Sequence, residues 1–464
     1  MSRHDLVVIG AGPAGLAAAS TARALGLDVA LVDEQAEPGG QIYRGVERAQ
    51  AQGRAASLGE DYSRGLWLVR EFRASGAAYL SGHHVWQVDP EGHAYASDGN
   101  ASRELSGKKV LVAVGALERP VPIRGWTLPG VMTVGAAQIL LKTAAMLPGD
   151  DVWIAGSGPL ALYYASQVVG AGGRVAGVLD TTRAASRPAA MAHWRGALSG
   201  WRYLLKGSGF INALRRAGIP RIEGVEEVEA VGEGQLARIR WRVGAAWSEA
   251  PAKGLLLHEG VVPHVQMTLA IGCAHDWDAL QQCFRPRVDA FGATDLPAIH
   301  VAGDCGGIAG ARMAELRGRE VALGIAAQLG KISGEERDRR AGAIRGEMRA
   351  HAGIRPFLDA LCQPRPTLAA PPDDVVACRC EVVTAGRIRE AVKLGCLGPN
   401  QAKSFTRCGM GPCQGRLCGP TVTGIIAQAR GVSPAEVGPY RIRPPLKPLK
   451  MGELAALASE GNGE

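Results

Sequence analysis

The chain has 464 residues, 47% of them hydrophobic and 21% charged, which describes a globular protein of about two to four domains and excludes a disordered or fibrous one. Its net charge of +8 comes from Lys and Arg scattered among acids, without the basic run that nucleic-acid binding would need. No apolar stretch reaches the roughly 18 residues that span a bilayer, and the N-terminus reads as a strand rather than a cleavable signal, so we expect a cytoplasmic chain, with peripheral docking on the inner membrane through partners left open.

Leu6–Ile9 is a short apolar run of the kind found in buried parallel strands. Gly10, Gly12 and Gly15 follow in G-x-G-x-x-G order, then a helical stretch, Ala14–Leu25, and a second strand, Val29–Val32. This order is that of a dinucleotide-binding unit. Gly10 permits the tight turn, Gly12 leaves room for a pyrophosphate, and Gly15 lets the helix pack on the strand. The helix N-terminus offers free N–H groups to phosphates. Asp33, 23 residues after Gly10, can accept from ribose hydroxyls, with Glu34 as the fallback.

Glu37–Gln41 is a glycine loop expected to face a flavin, which makes Gln41 a candidate contact. His83 and His84 read as a surface loop. Lys109–Val114 is a further buried strand that ends in Gly115 and Ala116, small enough for backbone to approach a ligand. Residues 119–130 are rich in Pro and Gly and mark a crossover between domains.

A second strand–glycine–helix unit begins at Val152, with Gly156, Gly158 and Ala161 in the motif positions and Asp180 ending the next strand, Arg174–Leu179. It duplicates the first unit. The pattern alone leaves open whether a nicotinamide or adenine nucleotide occupies it or the site is vestigial. Leu255–Leu257 leads into a turn at Gly260, flanked by His258 and His264, which either approach the flavin or pack in the core. Ala298–Ala302 is a strand capped by Gly303 and Asp304; the carboxylate there suits the ribityl hydroxyls of a flavin, and its plain alternative is a helix cap.

Residues 335–361 have helical periodicity, and 364–374 (PRPTLAAPPDD) read as a proline-rich linker. Six of the ten cysteines fall between Cys378 and Cys418. Cys378 and Cys380 open this module, Thr384 caps a helix, and Cys408, Cys413 and Cys418 lie in a glycine-rich segment. Thiolates in glycine-rich loops favour an iron–sulfur cluster, because backbone amides can bond to the sulfurs; zinc prefers more regular Cys pairs. The equal spacings from Cys408 to Cys413 and from Cys413 to Cys418 leave the ligand set open. Cys396 reads as packing.

The stretches VVIGAGPAG, VLVAVGA, IAGSGPL and IHVAGD, in this order, resemble the two-dinucleotide-domain flavoproteins, which include glutathione-reductase-like and thioredoxin-reductase-like enzymes. The chain lacks their redox Cys-x-x-Cys, which argues against disulfide reduction. The cysteine module resembles the [2Fe-2S] domain of bacterioferritin-associated ferredoxin, and that resemblance assigns the cluster to Cys378, Cys380, Cys413 and Cys418, with Cys408 in reserve. Together with GGQIYR and GWTLPGVM, the whole resembles the FAD-containing subunit of heteromeric opine (octopine, nopaline) dehydrogenases, D-hydroxyproline dehydrogenase and the cyanide-forming glycine dehydrogenase.

The resemblance implies an α/β fold with two Rossmann-like domains and a small helical [2Fe-2S] domain. The expected divisions are 1–118 and 268–335 for the FAD-binding domain, 119–267 for the inserted nucleotide domain, 336–374 for helix and linker, and 375–464 for the cluster domain and tail. It implies FAD held by Gly10, Gly12, Gly15, Asp33, Glu34, Gln41, Ala116, Gly303 and Asp304, a second nucleotide such as NAD at Gly156, Gly158 and Asp180, and an FMN at a subunit interface. A D-amino-acid-oxidase-like FAD subunit would oxidise an amino acid, imino acid or opine, this chain would pass the electrons on, and a small ferredoxin-like subunit would complete the path. The alternatives are a stand-alone NAD(P)H-dependent reductase and a non-catalytic docking subunit. No Ser-His-Asp set or paired carboxylates point to acid–base catalysis, so no catalytic residue is expected.

Overall fold

Leu6, Val7 and Val8 have no exposed surface, because their strand, His4–Ile9, lies inside a mostly parallel sheet covered on both faces. The computed structural model that shows this describes residues 3–460. The sheet runs in the order Ala78–Ser81, Val29–Asp33, His4–Ile9, Ser102–Val112, and then antiparallel through His93–Ser97 to His84–Val88. The far end of Ser102–Val112 also pairs in parallel with Ile299–Val301, so a strand from late in the chain completes the sheet. The helices Pro13–Ala24 and Ala311–Gln328 cross closely over it. Gly318 makes that possible, since a side chain there would lie 2.1 Å from the Ala14 carbonyl oxygen.

Between these parts lies a second, all-parallel sheet in the order Arg221–Ile222, Gly177–Asp180, Val152–Ser157, Gly254–Glu259, Val131–Thr133. The strand expected from Arg174 thus begins at Gly177. An antiparallel meander, Glu227–Val231, Arg238–Val243 and Ala246–Pro251, connects the edge strand Arg221–Ile222 to Gly254–Glu259.

The proline-rich stretch 364–374 is packed. Pro366–Ala369 forms one helical turn, Arg365 and Leu368 are buried, and Gly424 lets the Ala369 carbonyl come within 2.5 Å of where a side chain would stand. Beyond it, the helices Ala385–Lys393, Pro399–Thr406 and Gly419–Arg430 enclose a core of Ile388, Val422, Ile425 and Ile426. The Thr384 hydroxyl caps the first of them, accepting from the Arg387 amide. The tail then returns to the first sheet. The Leu446 amide donates to the Trp86 carbonyl at 2.8 Å, Lys447 pairs with Glu34, and Ser97 donates to Glu453 at 2.5 Å. No helix among the described residues is long and apolar enough to cross a membrane.

Candidate functional site

The three glycines of the first motif do different things. Gly10 has φ +106°, and a side chain there would sit 2.6 Å from the Ala113 carbonyl oxygen. One at Gly15 would sit 1.9 Å from the Gly10 carbonyl oxygen. Both are required by packing alone. Above Gly12, by contrast, the nearest atom is Gly40 Cα at 3.9 Å, so the space is open. The helix that starts after Gly12 has no side-chain cap, which leaves its first amides for a ligand.

That space belongs to a cavity of about 600 Å³, lined by Gly10, Gly12, Asp33, Glu34, Gln41, Ala116, Gly303 and Asp304. Of the residues expected at a flavin, only Gly15 stays behind the wall. Asp33 accepts from the Ala11 amide at 2.5 Å and the Gln35 amide at 2.7 Å, so it ties down the glycine loop as well as facing the cavity. Burial nevertheless raises its carboxyl above the usual range. Asp304 accepts from the Ala309 and Gly310 amides through Oδ1 and is also raised by burial. It therefore caps the loop before the Ala311–Gln328 helix while lining the cavity.

Several lining residues escaped the sequence reading. The Arg44 guanidinium carries a buried Nε without a hydrogen-bond partner among the described residues, and the same holds for Nε2 of His83 and Oε1 of Gln266. Arg416 and Lys447 come from the cysteine module and the tail. Cations, unpartnered polar atoms and an open glycine form a cradle suited to a pyrophosphate-bearing cofactor. His264 lines the cavity, where burial and then Arg416 hold it down to about 4, so it is neutral at pH 7. His258 instead pairs with Glu118 at 2.6 Å. Lys142, almost fully buried, donates to the Gln41 carbonyl at 3.1 Å and to Gln138 Oε1 at 2.9 Å, and thus anchors the loop that carries Gln41; burial lowers it to about 7.

The second motif is arranged differently. Gly156 is needed for packing against His258, and Gly158 has φ +93°. Over Gly158 stands Cys362, at 3.9 Å from where a side chain would be. Burial pushes the Cys362 thiol up to about 12, with Asp180 adding to the effect. Asp180 is engaged by the Arg221 guanidinium and the Thr182 amide. Beside it, buried Glu259 accepts from Thr181 at 2.7 Å, Ser157 at 3.3 Å and Arg365 at 2.8 Å. The chain's own segment 362–365 packs beside this motif, Cys362 next to Gly158 and Arg365 on Glu259.

In the cysteine module the sulfurs of Cys378, Cys408 and Cys418 lie within 4.8 Å of one another and are buried. Hydrogen bonds from Cys408 and Cys418 hold Cys378 far below the usual thiol range, as a thiolate. Cys380 and Cys413, both free thiols, face each other within hydrogen-bond reach at the surface side. Of the four expected ligands, the structure thus places two in the buried trio and two in the outer pair, and it adds Cys408 to the trio. The Tyr440 hydroxyl donates to the Cys408 carbonyl at 3.1 Å and reaches its sulfur at 3.5 Å. Gly409 and Gly415, both at positive φ, are glycines because a side chain at either would strike the Tyr440 ring at 2.5 Å. The all-sulfur donor set suits iron–sulfur ligation. Cys396 is buried against the module's core, as expected.

Two nucleotide-type domains, one with an open cradle, define a flavin-type oxidoreductase. The chain belongs to the pyridine nucleotide-disulphide oxidoreductase family, whose profile matches residues 4–320; a sarcosine oxidase A3 domain matches residues 378–458. It is 43% identical to an opine oxidase subunit of Rhizobium meliloti (strain 1021) over 459 residues, covering 98% of this chain and 99% of that protein. It is 32% identical to hydrogen cyanide synthase subunit HcnB of Pseudomonas aeruginosa, covering 98% of this chain and 99% of that protein. Its fold is that of L-proline dehydrogenase from P. horikoshii, with a TM-score of 0.70 at 20% identity, over 98% of this chain and 79% of that one.

Proposed function

We propose that this chain is the electron-transfer flavoprotein subunit of a multisubunit dehydrogenase that oxidises an amino acid, imino acid or opine. One observation carries the reading. Arg416, Leu446 and Lys447, from the cysteine module and its tail, line the same cavity as the first glycine motif. Gln266 Nε2, on the cavity wall, also donates to the Gln414 carbonyl at 3.3 Å, beside Cys413. A flavin-type site and the cysteine cluster are therefore neighbours, as an electron relay requires. Full-length similarity to subunits of heteromeric oxidases supports the same reading.

In this reading FAD supplies the redox chemistry when bound. Gly12 and the helix N-terminus receive its pyrophosphate, Arg44 balances its charge, Asp33 and Glu34 meet the ribose, and Gln41, Ala116 and Asp304 position the remainder. Four of the five cysteines hold a [2Fe-2S] cluster. The substrate site and its base lie in an oxidase-like partner, with an FMN at the shared interface, which is consistent with the lack of an acid–base pair here. A stand-alone NAD(P)H reductase would use the second motif, where Asp180 is already engaged by Arg221 and Cys362 packs beside Gly158.

Anaerobic mixing of the purified chain with NADH or NADPH tests this directly. We expect the visible flavin absorbance to persist, and to bleach only when the oxidase-like partner and an amine substrate are added. Prompt bleaching by NADH alone would overturn the relay reading in favour of the reductase.

A further inference from the structure

Residues 181–222 contain no Asp or Glu and eight basic residues. Within them the successive helices Ser186–Met191, Trp194–Ser199 and Trp201–Arg216 carry Met191, Trp194, Leu198, Trp201 and Leu205 at spacings of three and four, the pattern of a helical stripe. A stripe of this kind ordinarily faces a core. Here it faces water, with Trp194 48%, Leu198 60%, Trp201 52% and Leu205 61% exposed.

The opposite face explains the orientation. Gly196 and Gly200 sit directly on the backbone of Gly353 and the side chain of Ile354; side chains there would come within 2.1 Å and 2.5 Å. Tyr203 bonds to His351 at 2.7 Å on that same inner side. The small residues therefore seat the helices, and the large apolar ones are turned outward. Arg195 and Arg202 flank the stripe, each beside the tryptophan that precedes it, and neither is in an ion pair among the described residues.

From this arrangement we infer that the Trp194–Leu205 face docks on an anionic lipid bilayer surface. Arg187, Lys206 and Arg221 of this segment are paired with Glu223, Asp61 and Asp180, but Arg195 and Arg202 beside the stripe are not; the tryptophans suit the headgroup boundary, these two arginines suit lipid phosphates and the leucines suit the acyl region. The charge decides for lipid over a protein partner. A lipid surface gives both unpaired arginines, Arg195 and Arg202, a phosphate, whereas a protein interface would need acids placed to meet each of them.

The test is flotation of the full-length chain with vesicles of phosphatidylglycerol and phosphatidylethanolamine, and with vesicles of phosphatidylcholine alone. The chain should float with the first and not the second. Trp194→Ser with Trp201→Ser should remove binding, and Arg195→Gln and Arg202→Gln should each weaken it about fivefold, the equivalent of ~1 kcal/mol per cation near an anionic surface. Unchanged circular dichroism would confirm folding, since all four side chains point outward. Failure of the parent chain to float, or equal flotation of the tryptophan variant, overturns the inference. So does loss of the complex with the oxidase-like partner in that variant without any vesicle binding, which would make the face a subunit interface.

Discussion

The guanidinium of Arg365 meets the carboxylate of Glu259 at 2.8 Å, with both side chains almost wholly out of water. Arg365 comes from the proline-rich strap and Glu259 from the end of a strand in the second nucleotide domain. Removing one partner strands a buried charge. Arg365→Met should therefore destabilise the protein by about 3 to 5 kcal/mol. Replacing both, Arg365→Met with Glu259→Leu, should recover most of the loss. Urea denaturation followed by tryptophan fluorescence measures both, and equal losses in the single and double variants would contradict the account.

Gly12 and Gly15 separate cofactor binding from folding. A methyl group at Gly12 meets no protein atom closer than 3.9 Å, yet it enters the space assigned to the pyrophosphate. Gly12→Ala should lower flavin content at least about tenfold, the equivalent of ~1.4 kcal/mol, while leaving the melting temperature of the flavin-free protein unchanged. Gly15→Ala should lower both, because its methyl group strikes the Gly10 carbonyl.

The cysteines can be ranked by iron content. Cys378→Ser and Cys418→Ser should both lose the cluster. We expect Cys413→Ser to lose it and Cys408→Ser to keep it, since the Cys408 sulfur is already engaged by the Tyr440 hydroxyl while Cys413 faces Cys380. The reverse outcome would make Cys378, Cys408 and Cys418 the core of the ligand set. If cluster loss left the complex intact and its turnover unchanged, the relay role would fall and the docking reading would stand.

His264 and His300 should make the fold sensitive to acid. Burial holds each at about 4, against 6.5 when exposed. Between those values the unfolded chain binds protons that the folded imidazoles refuse, so stability is complete above pH 6.5 and falls as the pH drops towards 4. The loss should approach about 3 kcal/mol per histidine at the low end. Thermal unfolding from pH 7 to pH 4 should show this slope, and His300→Gln should flatten it.

Local signals carried the nucleotide folds. Strand, glycines, helix and acid lie within some thirty residues, and their order shows in the sequence even where the contact that demands a glycine, such as Gly10 against Ala113, is distant. What escaped was everything that long-range packing decides. Arg416 and Lys447 reach the first cavity from the far end of the chain, and no spacing announces them. The second motif has the same pattern as the first, yet its Asp180 is taken up by Arg221, and Cys362 and Arg365 pack beside it from much further along the chain. Prolines in 364–374 suggested a free linker, whereas Leu368 and the small surface at Gly424 turned it into a packed strap. The cysteine spacings could not show which sulfurs converge, because that depends on how the Tyr440 ring folds the glycine loop.

The tail's return to the first sheet has a kinetic meaning. Trp86, Ser97 and Glu34 hold Leu446, Glu453 and Lys447 on the far side of the cysteine module, while the strap holds it from the other side. Fastened at both ends, the module cannot swing between a docked and an undocked position. In the proposed relay, charge transfer across this chain would then be governed by a fixed gap rather than by the tempo of a moving arm, and cutting the tail before Leu446 would convert a rigid conductor into an intermittent one.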